Sequence, residues 1–152
     1  MPFKLTAHDF AEGAYIPRRF TCEGGDTLPA LHWAGEPPGT KSFAVIVDDP
    51  DAPRGTWNHW LAWDIPADVH WVSESKDHPS LGISGTNDFG RCGYGGPCPP
   101  KGGGPHRYFF RLFALDTPTL GLPEGAKRPA LEKVLKKHAI AEAAYMGRYE
   151  RR

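Results

Sequence analysis

The chain has 152 residues, a length typical of a single domain, and we expect residues 1–152 to form one. Its 18 Lys and Arg residues balance its 18 Asp and Glu residues, so no overall positive field favours a nucleic acid or an anionic membrane. Apolar residues make up 39% of the chain, which is enough for a hydrophobic core and excludes intrinsic disorder. The 18 Gly and 16 Pro residues follow no collagen-like period, and this composition favours a turn-rich domain built mainly of β-strands.

Five strands are predicted along the chain from apolar runs and from alternating apolar and polar side chains. In chain order they cover residues 3–10, 30–34, 41–47, 57–65 and 106–115. Alternation places His59 on the face opposite to Trp60 in the fourth strand. In the fifth strand it places His106 and Tyr108 on one face and Arg107 on the other, so Arg107 is expected to form a structural ion pair.

A long loop, a helix and an ambiguous tail account for most of the remaining chain. Residues 80–105 carry nine Gly and four Pro, a density that excludes regular structure and is typical of a functional loop. A proline in the first turn, followed by apolar residues at helical spacing, predicts a helix over residues 129–137. In residues 139–150 the alanine content favours a helix, but the side chains alternate as in a strand, so both interpretations stay open.

The cellular compartment is predicted from the N-terminus and the cysteines. Residues 1–10 lack the basic and apolar stretches of a secretory signal, and no apolar run approaches the roughly 20 residues that cross a bilayer. We therefore expect a cytoplasmic protein with no membrane span. Cys22, Cys92 and Cys98 have neither zinc nor redox spacing, and three unpaired thiols are expected in that compartment. A Cys92–Cys98 disulfide is the alternative.

Polar, titratable side chains stand at the beginnings of predicted strands or in the turns beside them. If the strands are neighbours, Asp49, His59, His106 and Tyr108 meet at one edge of the sheet, where small-ligand sites commonly form. Two imidazoles and a phenol supply donors that suit an anion, glycines let backbone amides approach a phosphate, and the prolines at 99–100 would stiffen the wall. Asp49 would repel an anion, so we expect it to bind a histidine N–H, fix its tautomer and raise its pKa.

Three motifs, in this order, resemble the phosphatidylethanolamine-binding protein family, which is also called the Raf kinase inhibitor-like family. They are Asp-Pro-Asp-Ala-Pro at residues 49–53, Trp-Asn-His at residues 57–59, and Gly-Pro-Cys-Pro-Pro-Lys-Gly-Gly-Gly-Pro-His-Arg-Tyr at residues 96–108. The sequence Gly-Thr-Asn-Asp-Phe-Gly at residues 85–90 is similar to the bacterial branch. Each motif alone is weak, but the three together are specific.

The resemblance implies a fold and a set of site residues. The fold would be an all-β-dominated sandwich of antiparallel sheets with one or two short helices, and residues 139–150 would form a strand. The pocket would bind a small anion through seven residues: Asp49, Pro53, His59, Gly102, Gly104, His106 and Tyr108. The Ala52–Pro53 peptide bond is expected to be cis, which would shape the turn that presents Asp49.

Two classes of function are compatible with the sequence. The first, implied by the resemblance, is a non-catalytic module that binds phosphate, a phosphorylated headgroup or another small anion without a cofactor or metal. Such a module would regulate or inhibit a partner kinase or other enzyme, and a homodimer is compatible with it, whereas a nucleic acid partner is not expected. The alternative is a small hydrolase that uses Asp49, His59 and His106 as a metal or acid–base site. Binding is favoured because no serine stands in a nucleophile elbow.

Overall fold

The computed structural model describes residues 2–74 and 81–152, and within them it contains eight β-strands and one α-helix. The strands are β1 (Lys4–Ala7), β2 (Leu31–Ala34), β3 (Ser42–Asp49), β4 (Trp57–Pro66), β5 (Trp71–Val72), β6 (Ile83–Ser84), β7 (His106–Leu115) and β8 (Ala139–Tyr149), and the helix is α1 (Arg128–His138). A three-residue 3-10 helix lies at Arg18–Phe20. The five predicted strands and the predicted helix are confirmed, with bounds that differ by a few residues.

The strands form two antiparallel sheets. The smaller sheet has the order β1-β2-β5, and the larger has the order β6-β4-β3-β7-β8. The main hydrophobic core contains residues of both sheets, for example Leu31 and Trp33 from the smaller one and Phe43 and Phe110 from the larger one. This arrangement confirms the predicted all-β-dominated sandwich, in which two sheets bury their apolar faces against each other.

The central strand β3 is buried on both faces, which explains its long apolar run. Val45 belongs to the core between the sheets, whereas Ile46 belongs to a second apolar cluster on the other face of the larger sheet. Successive side chains of a strand point to opposite faces. The last two residues of β3, Asp48 and Asp49, therefore point to opposite sides of the sheet.

Helix α1 covers the second face of the larger sheet. A proline stands in its first turn, where a missing N–H costs nothing, as the sequence predicts. Its buried residues Leu131 and Leu135 belong to the same apolar cluster as Ile46 and Trp63. The helix thus gives the larger sheet a second hydrophobic contact and leaves the smaller sheet to cover the first.

Strand β8 decides between the two interpretations of the C-terminal segment. It pairs with β7 over its whole length, from Leu115 opposite Ala139 to His106 opposite Tyr149. Its burial alternates near the C-terminus, and Tyr145 and Tyr149 are both buried. Alternation, rather than the helix propensity of alanine, therefore determines the structure, as expected where tertiary packing overrides propensity.

A β-bulge in β4 corrects the predicted orientation of His59. Val47 pairs with Trp60, and the next residue of β3 pairs with Asn58, so His59 is an extra residue without a partner in β3. The His59 ring contacts the ring of Tyr108, with 5.3 Å between centroids, in the same core as Trp60. His59 and Trp60 therefore face the same side, whereas strict alternation predicts opposite faces.

The glycine-rich segment contains one short strand, so the prediction that residues 80–105 lack regular structure is wrong at β6. Ile83 and Ser84 pair with Trp63 and Ala62 at the edge of the larger sheet. Residue 80 lies outside the described residues. The pairing is local, and the rest of the segment from residue 85 onward is made of turns and isolated bridges.

The Ala52–Pro53 peptide bond is trans, which corrects the prediction of a cis bond. The trans isomer is the more stable one for an X-Pro bond. The turn is shaped instead by hydrogen bonds: Asp49 Oδ1 accepts the N–H of Asp51 at 2.8 Å, and the N–H of Gly55 donates to the Ala52 carbonyl at 3.1 Å. These hydrogen bonds fix the turn that connects β3 to β4.

Candidate functional site

A pocket of about 190 Å³ lies at one edge of the larger sheet, where β3 ends and β4 and β7 begin. These strand ends meet because β3 runs antiparallel to both of its neighbours. Five of the seven predicted site residues line the pocket: Asp49, Pro53, His59, His106 and Tyr108. The other lining residues are Ala52, Trp57, Phe89, Cys98, Pro99 and Pro100. The structure thus brings the predicted cluster together, and its role in binding stays a prediction.

Asp49 and His106 form a buried pair in this pocket. The Asp49 Oδ2 atom lies 2.7 Å from Nδ1 of His106, and both side chains are less than a tenth exposed. Since a carboxylate only accepts, the Nδ1–H of His106 donates to it. The other Asp49 oxygen accepts the N–H of Asp51, so the carboxylate is occupied and His106 presents Nε2 as its remaining polar atom. The predicted contact between Asp49 and a histidine N–H is therefore present.

His59 is buried, and its ring is held by the main chain of the glycine-rich segment. Its Nδ1–H donates to the carbonyl of Gly95 at 2.7 Å, because a carbonyl oxygen can only accept. Burial lowers the pKa of His59 and outweighs the Gly95 carbonyl and the Asp49 carboxylate, which both raise it. At neutral pH the ring is therefore uncharged, and Nε2 carries a lone pair instead of the N–H donor that the sequence predicts.

The hydroxyl of Tyr108 lies in an unusual environment. Tyr108 is 1% exposed, and its hydroxyl has no hydrogen-bond partner among the residues that the structure describes. Burial, together with the nearby Asp49 carboxylate, raises the pKa of Tyr108, so the phenol keeps its proton, although no contact between the two groups meets hydrogen-bond geometry. A buried O–H without an acceptor destabilises the folded state. An acceptor brought by a ligand would satisfy this group.

Gly102 and Gly104 are not among the lining residues, in contrast to the prediction. Both have positive φ angles, 76° and 79°, which glycine adopts readily. The N–H of Gly102 donates to the carbonyl of Arg151 at 2.9 Å, and the N–H groups of Gly95 and Gly96 are likewise used inside the protein. The glycines therefore shape turns, and the hydrogen-bond donors of the pocket are side chains.

A disulfide between Cys22 and Cys98 holds one wall of the pocket and corrects the prediction of three unpaired thiols. The alternative pairing is also wrong, because Cys92 is free and exposed. Cys98 is followed by the two prolines that the sequence predicts to stiffen the wall, and both line the pocket. Arg151 Nε donates to the carbonyl of Pro99 at 2.6 Å. The wall is thus tied down at two points, one of them covalent.

Two aromatic residues missed by the sequence reasoning form the exposed rim of the pocket. Trp57 and Phe89 are each 38% exposed, and their ring centroids are 5.5 Å apart. Phe89 is positioned by the buried Asn87, whose Oδ1 accepts the N–H groups of Phe89 and Arg91. Both rim residues lie within motifs quoted for the family resemblance, at residues 57–59 and 85–90, and those motifs were the signal that could have identified them.

The carboxylate next to Asp49 lies on the opposite side of the sheet and is fully paired. Asp48 is 1% exposed and contacts two arginines: Arg111 Nε at 3.0 Å and Arg128 Nη1 at 2.6 Å. Arg128 also donates to Asn58 Oδ1 at 2.8 Å. This network joins β3, β4, β7 and α1, and it stabilises the helix-covered side of the sheet.

Arg107 also forms a structural ion pair, as predicted. Its backbone N–H and its guanidinium donate to the Asp51 carboxylate, with each distance at 2.9 Å. Arg107 holds the pKa of Asp51 at about 2. The pair ties the turn after β3 to the beginning of β7 at the surface and leaves Arg107 outside the pocket.

Two further observations bear on metals and membranes. Among the described residues, no group of three His, Cys, Asp or Glu side chains is arranged so that it could hold a metal ion. Within residues 2–74 and 81–152, no helix is long and apolar enough to cross a membrane. Three unpaired thiols would agree with a reducing compartment, but two of the cysteines form a disulfide, so the thiols no longer support a cytoplasmic location. That location stays a prediction.

Comparison with known proteins gives close relatives in bacteria and archaea. The chain is 48% identical to a UPF0098 protein of Aquifex aeolicus over 97% of this chain and 88% of the relative. It is 39% identical to the UPF0098 protein YbcL of Escherichia coli over 97% of this chain and 87% of the relative. The crystal structure of YbcL, described as a member of the mammalian PEBP family, matches this fold with a TM-score of 0.90 and 37% identity, covering 99% of both chains.

A second solved structure gives the same result. A phosphatidylethanolamine-binding protein homologue from Chlamydia trachomatis matches with a TM-score of 0.90 and 33% identity, covering 99% of this chain and 98% of that one. The family model described as phosphatidylethanolamine-binding protein matches residues 6–150. The match therefore includes the three motifs and every strand from β2 to β8. The chain belongs to the phosphatidylethanolamine-binding protein family.

Proposed function

We propose that the protein is a non-catalytic binding module whose pocket takes a small anionic group, namely phosphate or a phosphorylated headgroup. The observation that carries the proposal is the buried, protonated hydroxyl of Tyr108, which has no acceptor among the described residues. The ring of Tyr108 contacts two histidine rings, with centroid distances of 5.3 Å to His59 and 6.5 Å to His106. An oxyanion would accept the phenol O–H and, once His106 is protonated, its Nε2–H as a charge-assisted hydrogen bond.

The lining residues also support binding over catalysis. Cys98 is tied in a disulfide, both oxygens of Asp49 are occupied, and no serine or threonine lines the described pocket. Nucleophilic catalysis usually needs such a side chain next to a base. A partner protein could present the same anion on a phosphorylated or acidic segment, and by docking it the module would regulate or inhibit a kinase or another enzyme.

Calorimetric titration with inorganic phosphate, phosphoethanolamine and zinc tests the proposal. We expect binding heat with the two phosphates. His106→Ala should weaken phosphate binding by about tenfold to a hundredfold, because it loses a charge-assisted hydrogen bond of about 1.5–3 kcal/mol. Arg107→Ala is the matched control, since Arg107 precedes Tyr108 in β7 but pairs with Asp51 outside the pocket.

The same experiment can overturn the proposal. Absence of heat with both phosphates would show that the pocket does not bind an anion. Zinc binding accompanied by turnover of a generic ester would favour the hydrolase instead. A loss of affinity in Arg107→Ala as large as that in His106→Ala would place the anion outside this pocket.

A further inference from the structure

The polar atoms of the pocket are not all donors, and their arrangement limits the ligand. Nδ1 of His59 lies 2.7 Å from the Gly95 carbonyl and must carry the proton, because the carbonyl has none to give. In a neutral imidazole the second nitrogen is then an acceptor. The pocket thus presents an acceptor, Nε2 of His59, beside the donor hydroxyl of Tyr108, whose ring is in edge contact with the His59 ring. Nε2 of His106 is a second acceptor while that ring is neutral and becomes a donor once the ring is protonated.

We infer that the pocket selects oxoacid groups that keep one acidic proton, such as the monoanion of phosphate or of a phosphate monoester. His59 is the residue that accepts the hydrogen bond from this proton. Sulfate and phosphate diesters have the same tetrahedral shape but no proton to donate. The inference rests on the proposed function, because it assumes that the oxoanion binds in this pocket. It adds the protonation state and the ester class of the ligand.

The charge of the lining residues supports a monoanion. No lysine or arginine is among the residues that line the pocket within the described chain, and Asp49 contributes a negative charge. His106 can contribute one positive charge when it is protonated. The N–H groups of Gly95, Gly96 and Gly102 donate inside the protein and cannot stabilise a second negative charge. A ligand that keeps a proton avoids a charge that this pocket cannot neutralise.

The surroundings of His59 keep it in the accepting state. The charged groups that act on it are the carboxylates of Asp49 and Asp26, and both raise its pKa. Burial lowers the pKa by more than they raise it. The neighbouring ring of Tyr108 is uncharged, because the pKa of that phenol is raised. His106 would repel a second positive charge when it is protonated. His59 therefore presents its lone pair through the neutral pH range.

The bound ligand would satisfy both kinds of group. Its P–O–H would donate to Nε2 of His59, while its charged oxygens would accept the O–H of Tyr108 and the Nε2–H of protonated His106. A sulfate or a diester would instead place an oxygen lone pair against the nitrogen lone pair and leave this buried acceptor unpaired. The second pKa of a phosphate ester is about 6, so the required monoanion is abundant at and below that pH.

Calorimetric titrations at pH 6.5 with methyl phosphate and dimethyl phosphate test the inference most sharply, because the lowered pKa of His59 leaves its ring mostly neutral at that pH. The two monoanions differ by the P–O–H group, and the affinity for methyl phosphate is referred to the concentration of its monoanion. We expect methyl phosphate to bind roughly tenfold more tightly than dimethyl phosphate, and phosphate to bind more tightly than sulfate by at least as much. His59→Phe keeps an aromatic ring but removes the acceptor and should reduce both preferences, whereas Arg107→Ala should keep them.

The possible outcomes separate the inference from the proposed function. If none of the four anions binds, the proposed function itself fails. If dimethyl phosphate and sulfate bind to the unaltered protein as tightly as the ligands that carry a proton, the inference fails and the proposed function stands. If His59→Phe folds and keeps the full preference, His59 is not the residue that accepts the proton, and the inference is overturned at that residue.

Discussion

Asp48 and Asp49 are consecutive residues of β3, both buried, yet their surroundings differ completely. Asp48 faces α1 and contacts two guanidinium groups, from Arg111 and Arg128. Asp49 faces the pocket, where its partners are the ring of His106 and the N–H of Asp51. The first carboxylate is neutralised by permanent cations, which is a structural arrangement. The second carboxylate orients the ring of a histidine that lines the pocket.

The two carboxylates also differ in whether the polar groups beside them are paired, although the indole N–H of Trp63, in the apolar cluster under α1, is likewise without a partner among the described residues. On the side of Asp48, Arg128 satisfies the carboxylate and Asn58 together. On the side of Asp49, the hydroxyl of Tyr108 has no partner within the described chain. Buried polar groups that have all their hydrogen-bond partners stabilise a fold. A buried donor without an acceptor reduces stability unless a ligand supplies that acceptor. This difference separates the structural carboxylate from the one we assign to a binding site.

The largest expected effect on stability comes from removing the Cys22–Cys98 disulfide, which fixes one wall of the pocket. The cysteines are 76 residues apart, and the chain-entropy model gives a stabilisation of about 4 kcal/mol for a loop of that size. Cys98→Ser should therefore lower the free energy of unfolding in urea by about that amount. Phosphate affinity should fall as well, because Cys98 and the prolines after it line the pocket.

Cys92→Ser is the matched control, because Cys92 is free and exposed. It should change neither stability nor affinity. If Cys98→Ser binds phosphate as tightly as the unaltered protein does, the disulfide does not hold the binding wall.

The second largest effect is expected on the side of Asp48. Asp48→Asn leaves two arginines without their carboxylate, and breaking a buried ion pair costs about 3 kcal/mol. The free energy of unfolding should fall by about that amount, while the phosphate affinity of the folded protein stays the same within about twofold. Asp116→Asn, at an exposed carboxylate paired with His138, should change stability by less than about 0.5 kcal/mol. Equal losses of affinity and stability in Asp48→Asn would contradict the separation of the two sides.

The smallest effect is expected for Arg107→Ala, because its pair with Asp51 is exposed and screened by solvent. The pKa of Asp51 is lowered from 3.8 to about 2, so the pair stabilises the folded state above pH 3.8 and stops doing so as the pH falls towards 2. The urea midpoints of the variant and the unaltered protein should differ slightly at pH 6, and the difference should shrink as the pH falls from 3.8 towards 2. A difference that grows with acidity would contradict this assignment.

The strands and most of the pocket residues could be predicted from the sequence. The apolar run of β3 and the alternation of β7 are local patterns, so they predicted the strands and the grouping of Asp49, His106 and Tyr108. The orientation of His59 could not be predicted, because a bulge depends on the pairing of two strands and leaves no local periodicity.

The disulfide pairing and the role of the glycine N–H groups could not be predicted from the sequence, for a different reason. Cys22 and Cys98 are far apart in the chain, and pairing of distant cysteines cannot be deduced from spacing. A glycine-rich loop suggests amides that are open to a ligand, but the N–H of Gly102 is used by Arg151 across the fold. Which backbone groups are free is decided by tertiary contacts.

The exchange of Tyr108 for phenylalanine tests the central claim most directly, because it removes the hydroxyl alone. Tyr108→Phe should raise the free energy of unfolding by up to about 1 kcal/mol, since a buried unpaired donor is lost. It should weaken phosphate binding by about tenfold, since the ligand loses that donor. Urea unfolding and calorimetry on the same preparation should therefore change in opposite directions. A variant that loses stability and keeps its phosphate affinity would show that the hydroxyl serves the fold and not a ligand.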